Sequence, residues 1–188
     1  MQKVQWKVTI ETLSPLNIGS GTQSKTEKMG YTVRKMQKSQ GEKETTHKSF
    51  IPGSTIKGKL KYNFSMLDMD NHKENEHCDC RVCKLFGSVG YSPSRIYIDD
   101  FNLVNNEVAE VRSCNRLDRK RRVCVEGALF TKETVCGRYE GEITAFVEEK
   151  QIIEDITTAI LMIKELGSGK SRGLGQVKVS IKQEGEVQ

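Results

Sequence analysis

The stretch Gly167-Ser168-Gly169-Lys170-Ser171-Arg172-Gly173-Leu174-Gly175 constrains this chain more than any other. It follows a helical pattern and runs into a strand pattern, Gln176-Val177-Lys178-Val179-Ser180-Ile181. Four glycines in nine residues let a backbone turn with positive φ and approach a ligand closely. Lys170, Ser171 and Arg172 sit among them, and all three can donate to phosphate oxygens. A nucleotide-binding P-loop does not fit. That pattern needs a glycine where Lys164 stands, and its loop leads from strand into helix rather than from helix into strand. A phosphate-rich polymer fits the residues better than a nucleoside triphosphate. The plainer reading of the same stretch is a helix C-cap and turn that carries two charges.

The rest of the chain is long enough to build one core around this loop. At 188 residues it suits one domain and is short for two. Aromatic residues are only 6%, so the core has to be aliphatic. The net charge of +5 is modest, but its distribution is uneven. No apolar run is long enough to span a bilayer, and Lys3, Lys7 and the alternating N-terminus do not match a signal peptide. The expectation is a soluble, cytoplasmic protein.

Val4, Trp6, Val8 and Ile10 alternate with polar residues, predicting a half-buried strand that breaks at Ser14-Pro15. Gln23 to Phe50 holds seven Lys/Arg, three Glu and no aspartate, which marks a disordered segment or a working loop. Ser54 is placed as N-cap of a helix over Thr55–Leu67, where Ile56, Leu60, Phe64 and Leu67 recur at helical spacing. Lys57, Lys59 and Lys61 fall on its other faces. Strands are predicted over Ile96–Ile98, extended by Phe101–Val104, and over Gly127–Thr131 and Glu142–Val147. A last helix covers Gln151–Leu166. This order suggests a ferredoxin-like α+β core with large insertions.

Two clusters carry chemistry. Arg112 to Val125 is the most basic part of the chain, with Arg112, Arg116, Arg119, Lys120, Arg121 and Arg122 against one acid, Asp118. Four adjacent cations at 119–122 repel one another without an anionic partner. Asp118 is assigned to an ion pair with a neighbouring arginine. The second cluster, His72, Cys78, Cys80 and Cys83, offers four ligands suited to tetrahedral, structural Zn(2+), with His77 as the alternative imidazole. The alternative is a set of reduced thiols. Cys114, Cys124 and Cys136 read as small apolar fillers.

Five segments together resemble the RAMP superfamily of CRISPR-associated proteins. They are Leu13–Gly21, Phe50–Gly58, Cys80–Gly87, Asn115–Arg119 and Leu166–Gly175, in that order along the chain. The closest resemblance is to the repeated backbone subunit of type III-like, RNA-guided effector complexes. It implies a single domain over 1–188 with insertions near 22–50, 68–94 and 112–140. The core would be modified from the RNA-recognition motif, with a thumb β-hairpin and a zinc-stabilised insertion. It also implies partners: CRISPR RNA, target RNA, further copies of the chain in a filament, other effector subunits and a separate nuclease.

Under that resemblance the helix beginning at Ser54 and the glycine loop grip the guide backbone. The RNA-binding candidates are Ser20, Ser54, Lys57, Lys61, Arg116, Arg119, Lys120, Arg121, Arg122, Gly169, Lys170, Ser171 and Arg172. Phosphate contacts of this kind give affinity without sequence choice, which suits a protein whose specificity comes from base pairing. Cleaving relatives carry an aspartate between the first strand and the Ile-Pro-Gly-Ser motif, where this chain has none. Glu27, Glu42, Glu44 and His47 are the residues there with acid–base capacity. The expectation is a subunit that presents the guide without cutting. The alternative is an endoribonuclease that cleaves target or processes guide, with His47 as general base.

Overall fold

The computed structural model describes residues 1–19, 29–30, 32, 34–38, 45–67, 78, 80–88 and 93–187. Ser20, Glu27, Glu42, Glu44, His72 and His77 lie outside the described residues. The chain runs β1 (Gln2–Thr12), β2 (Met29–Gly30), β3 (Arg34–Lys38), β4 (Thr45–Ile51), then α1 (Gly53–Leu67) and α2 (Arg81–Phe86). It continues through β5 (Ile96–Ile98), β6 (Phe101–Leu103), β7 (Val108–Cys114), β8 (Phe130–Cys136) and β9 (Arg138–Val147). It closes with α3 (Lys150–Leu161), a 3-10 turn (Lys170–Arg172) and β10 (Val177–Val187). The molecule is mixed α+β and rich in sheet.

Alternation in β1 decides where the core sits. Val4, Trp6, Val8 and Ile10 are buried while Lys3, Lys7 and Glu11 face solvent, because successive strand residues point to opposite faces. β1 lies between β9 and β10 and is antiparallel to both. The main sheet runs β10-β1-β9-β6-β4-β3, with β5 also paired to β9. Helices α1 and α3 cover its apolar face. Trp6 Nε1 donates to Thr157 Oγ1 of α3 at 3.0 Å, and Asn63 Nδ2 of α1 donates to the Ala159 carbonyl at 3.0 Å. Each fully buried large apolar side chain stabilises such a core by about 1.5–3 kcal/mol.

A second, three-stranded sheet runs β2-β8-β7. β7 is exposed on both faces over most of its length, so the β7–β8 hairpin stands clear of the core. A half-buried ion cluster anchors its base. Arg34 Nη2 pairs with Glu107 Oε1 at 2.6 Å and with Glu133 Oε1. Glu107 Oε2 also accepts the Ser49 N–H at 3.1 Å, and the Ser49 and Tyr139 hydroxyls are hydrogen-bonded at 2.9 Å. Burial pushes the Tyr139 phenol up to about 12.

Four expectations give way here. The polar stretch 23–50, expected to be a loop or disordered, carries β2 and the paired strands β3 and β4. α1 begins at Gly53, one residue ahead of the assigned cap, and its Gly53 N–H is satisfied by Asp100 Oδ1 at 3.0 Å. The strand expected at Gly127–Thr131 starts at Phe130. The last helix stops at Leu161, not Leu166, because residues 163–166 turn back to pair with the strand entry. Leu166 N donates to the Gly175 carbonyl at 2.9 Å, and Val177 N donates to the Lys164 carbonyl at 2.9 Å.

Candidate nucleic-acid interface

That return pairing closes the glycine stretch into a loop pinned at its base. A Cβ on Gly175 would fall 2.0 Å from the Leu166 carbonyl oxygen, and one on Gly167 would fall 2.4 Å from the Asn17 carbonyl oxygen. Both glycines have positive φ, so they are required by close approach as well as by conformation. Asn17 is the pin. Its carbonyl accepts the Ser168 N–H at 2.9 Å and its Oδ1 accepts the Ser168 hydroxyl at 2.7 Å. Its Nδ2 donates to the Glu133 carbonyl of β8 at 2.6 Å, tying the loop to the hairpin sheet.

Two grooves flank this loop. The first, about 770 Å³, lies between α1 and the loop and is lined by Asn17, Ile18, Gly19, Ser54, Thr55, Gly58, Lys59, Tyr62, Glu165, Leu166, Gly167, Ser168 and Lys170. The second, about 820 Å³, lies under the hairpin tip and is lined by Asn115, Arg116, Leu117, Asp118, Arg119, Lys120, Val125, Phe130 and Arg172. Lys170 and Arg172 are the two ends of one 3-10 turn, so that turn is the ridge between the grooves. Gly169 and Gly173, both left-handed, start and stop it.

The expected phosphate contacts divide accordingly. Ser54 and Lys170 are in the first groove; Arg116, Arg119, Lys120 and Arg172 are in the second. Ser171 is exposed on the ridge, Gly169 begins it, and Arg121 and Arg122 are exposed at the hairpin tip. Lys57 and Lys61 are half-buried and line neither groove; Lys57 Nζ donates to Ser94 Oγ at 2.9 Å. Lys59 takes the groove position instead. Ser20 lies outside the described residues.

At the hairpin tip, Asp118 does not form the expected ion pair. Its Oδ1 accepts the backbone N–H groups of Lys120 at 2.8 Å and Arg121 at 3.1 Å, an Asx-type turn that bends the chain. Arg122 adopts φ 55, a left-handed conformation unusual outside glycine. The carboxylate is thus spent on the turn. Among the described residues, no carboxylate pairs with Arg116, Arg119, Lys120, Arg121, Arg122, Lys170 or Arg172, which keeps these cations available to an anion.

The thiols converge as well. The Sγ atoms of Cys78, Cys80 and Cys83 all lie within 4.8 Å of one another. Cys80 caps α2, its sulfur accepting the Cys83 N–H at 3.4 Å. Burial, with Cys80 and Cys78 beside it, pushes the Cys83 thiol up to about 12. Thiolates on one tetrahedral ion sit about 3.8 Å apart, so a small contraction would seat a metal. The cluster can hold one. His72 and His77 lie outside the described residues. His47 is exposed on β4, where its carbonyl accepts from Arg34 Nη1 at 3.4 Å.

Sequence reasoning missed Asn17, Tyr62 and Asn115 as groove residues, and Asp100 as the cap of α1. Asn17 and Asn115 stand inside segments that had been singled out, but polar residues in loops carry no periodic signal.

The fold is a sheet-rich α+β body in which two grooves, each holding lysine or arginine, meet at a glycine-framed ridge. The RAMP superfamily model matches residues 9–178, and the chain belongs to that superfamily. Membership implies a CRISPR-associated, RNA-binding role. No curated protein matches the chain.

Proposed function

We propose that this protein is a CRISPR RNA-binding backbone subunit that stacks with copies of itself along one guide and presents it to target RNA. The observation that carries the reading is the ridge at Lys170–Arg172, which puts one cation into each of two adjacent grooves. A strand of RNA crossing that ridge meets cations, glycine backbone and hydroxyls, which grip phosphate and sugar without choosing bases. Specificity then falls to base pairing with the guide.

The topology supports a ferredoxin-like core of the RNA-recognition-motif type. Taking β1, α1, β5, β9, α3 and β10 as the frame, the sheet order is β10-β1-β9-β5 with every neighbour antiparallel. On this reading residues 1–188 form one domain with insertions near 22–50, 68–94 and 112–140. The β7–β8 hairpin, exposed along β7, is the thumb. Cys78, Cys80 and Cys83 would hold structural Zn(2+) with His72 or His77 completing the set. Bound zinc would favour the thiolate forms. Metal analysis of purified protein that finds none removes this part of the proposal.

Binding without cutting is the favoured activity because the segment between β1 and Ile51-Pro52-Gly53-Ser54, where cleaving relatives carry an aspartate, has none. Asp100, one of the described aspartates, is engaged with Gly53 and Lys35. Cleavage would fall to another subunit. The test is co-purification from cells that express the whole locus, with sequencing of the bound RNA and a target-cleavage assay. CRISPR RNA bound in stoichiometric amount, and no cleavage by this protein alone, is the expected result. Metal-independent cleavage abolished by His47→Ala would replace the proposal with an endoribonuclease.

A further inference from the structure

We propose that Tyr62 is a stacking platform for one nucleobase, with Gly58 one helical turn earlier as the floor that the same nucleotide's sugar crosses. This rests on the RNA-binding reading and assigns a base subsite within the first groove.

Ser54, Gly58 and Tyr62 are spaced by four along α1, form an exposed stripe and line the groove opposite Gly167, Ser168 and Lys170. Gly58 sits inside a 15-residue helix, where glycine is the poorest helix former after proline. Among the described residues nothing requires it: a Cβ built there meets none of their atoms within 4 Å, whereas at Gly53 the same atom would fall 2.3 Å from the Ile98 carbonyl oxygen. A helix that forgoes a side chain facing an open groove leaves its bare backbone for something that comes from outside. Tyr62 supplies the second observation. It is 56% exposed in a chain with few aromatics, while α1 meets the core through Ile56, Leu60 and Phe64. Lys59 Nζ stands 5.3 Å from its ring centroid, so a cation accompanies the aromatic face. Flat face, adjacent cation and bare floor suit a base, its phosphate and its sugar in that order. Stacking on tyrosine is tolerant of sequence because every base has a π-face.

The experiment uses the full-length protein and a 20-nucleotide mixed-sequence single-stranded RNA carrying 2-aminopurine at alternate positions. Wild-type protein is expected to bind and to quench the 2-aminopurine emission. Tyr62→Ala should weaken binding roughly 5- to 100-fold, with most of the quenching lost and the salt slope unchanged, because no charge is removed. Tyr62→Phe should bind as wild type. Gly58→Ala should raise the melting temperature by about 1–4 °C, yet weaken binding, a pairing of signs that a purely structural glycine does not produce. If Tyr62→Ala and Gly58→Ala bind as wild type while Lys170→Ala binds more weakly, the base subsite is wrong and the RNA-binding reading survives. If wild-type protein binds no RNA, the functional reading falls and this one with it.

Discussion

Lys170 and Arg172 are two residues apart on one 3-10 turn, yet they line different grooves. The left-handed glycines on either side, Gly169 and Gly173, make that divergence affordable in backbone terms. One short turn therefore separates α1's groove from the hairpin's groove and gives each a positive charge.

Because no carboxylate among the described residues pairs with either cation, their effects on RNA binding should add. Lys170→Ala and Arg172→Ala are each expected to make the slope of log K against log salt shallower by about 0.7, and the double variant by about twice that. Fluorescence anisotropy over a salt series reads this directly. Equal slopes in wild type and double variant would return the loop to being a plain turn.

The loop glycines should differ sharply in what they tolerate. Gly173 has φ +78 but open space around a Cβ, so Gly173→Ala should cost only the left-handed penalty, about 1 kcal/mol. Gly175→Ala adds a Cβ 2.0 Å from the Leu166 carbonyl oxygen, and its cost should exceed about 2 kcal/mol. Thermal unfolding of the two variants, side by side, gives the ranking. Similar melting temperatures would mean that the return pairing at Leu166 is not rigid.

Arg34 is the keystone between the hairpin and the main sheet. Its guanidinium is burdened by burial, but Glu133 and Glu107 outweigh that and hold it protonated more firmly than usual. Arg34→Met leaves two largely buried carboxylates facing each other and should destabilise by about 3–5 kcal/mol in urea unfolding. Adding Glu107→Gln to that variant should recover part of the loss. No recovery would show that packing, not charge, is what Arg34 supplies.

Asp100 predicts an acid-dependent contribution. Burial acts to raise its carboxyl, but the Gly53 N–H and Lys35 prevail and hold it below the ordinary carboxylate range. A depressed folded value means that the contribution is present above about pH 4, where the unfolded carboxylate is ionised, and is lost as pH falls through the folded value. Asp100→Asn should therefore cost from a few tenths to about 1 kcal/mol near pH 7. Wild type and variant should converge near pH 2. A gap that stays constant on acidification would assign the effect to shape alone.

How much of this was legible beforehand depends on the range of the interaction. Alternation placed β1, helical spacing placed α1's core residues, and glycine and charge density marked both the ridge and the hairpin tip. Cys78, Cys80 and Cys83 lie within six residues, so their convergence needed only a local turn. These signals are local because they come from strand and helix periods and from single-residue backbone preferences. What only the tertiary structure decided lies in pairings far apart in sequence. Ser168 finds Asn17 across 151 residues, and Gly53 takes its cap from Asp100 47 residues on. The same distance effect exchanges Lys57 for Lys59 in the groove, since Ser94 engages the former. A helix pattern cannot say which face a distant strand will leave open, and the end of α3 shows the same limit. Ile163 and Leu166 keep an apolar rhythm past Leu161 because they are buried, but the backbone carrying them pairs with the entry to β10 instead of continuing the helix. Sequence determined what the glycine stretch is made of; the return pairing determined that it is a ridge between two grooves.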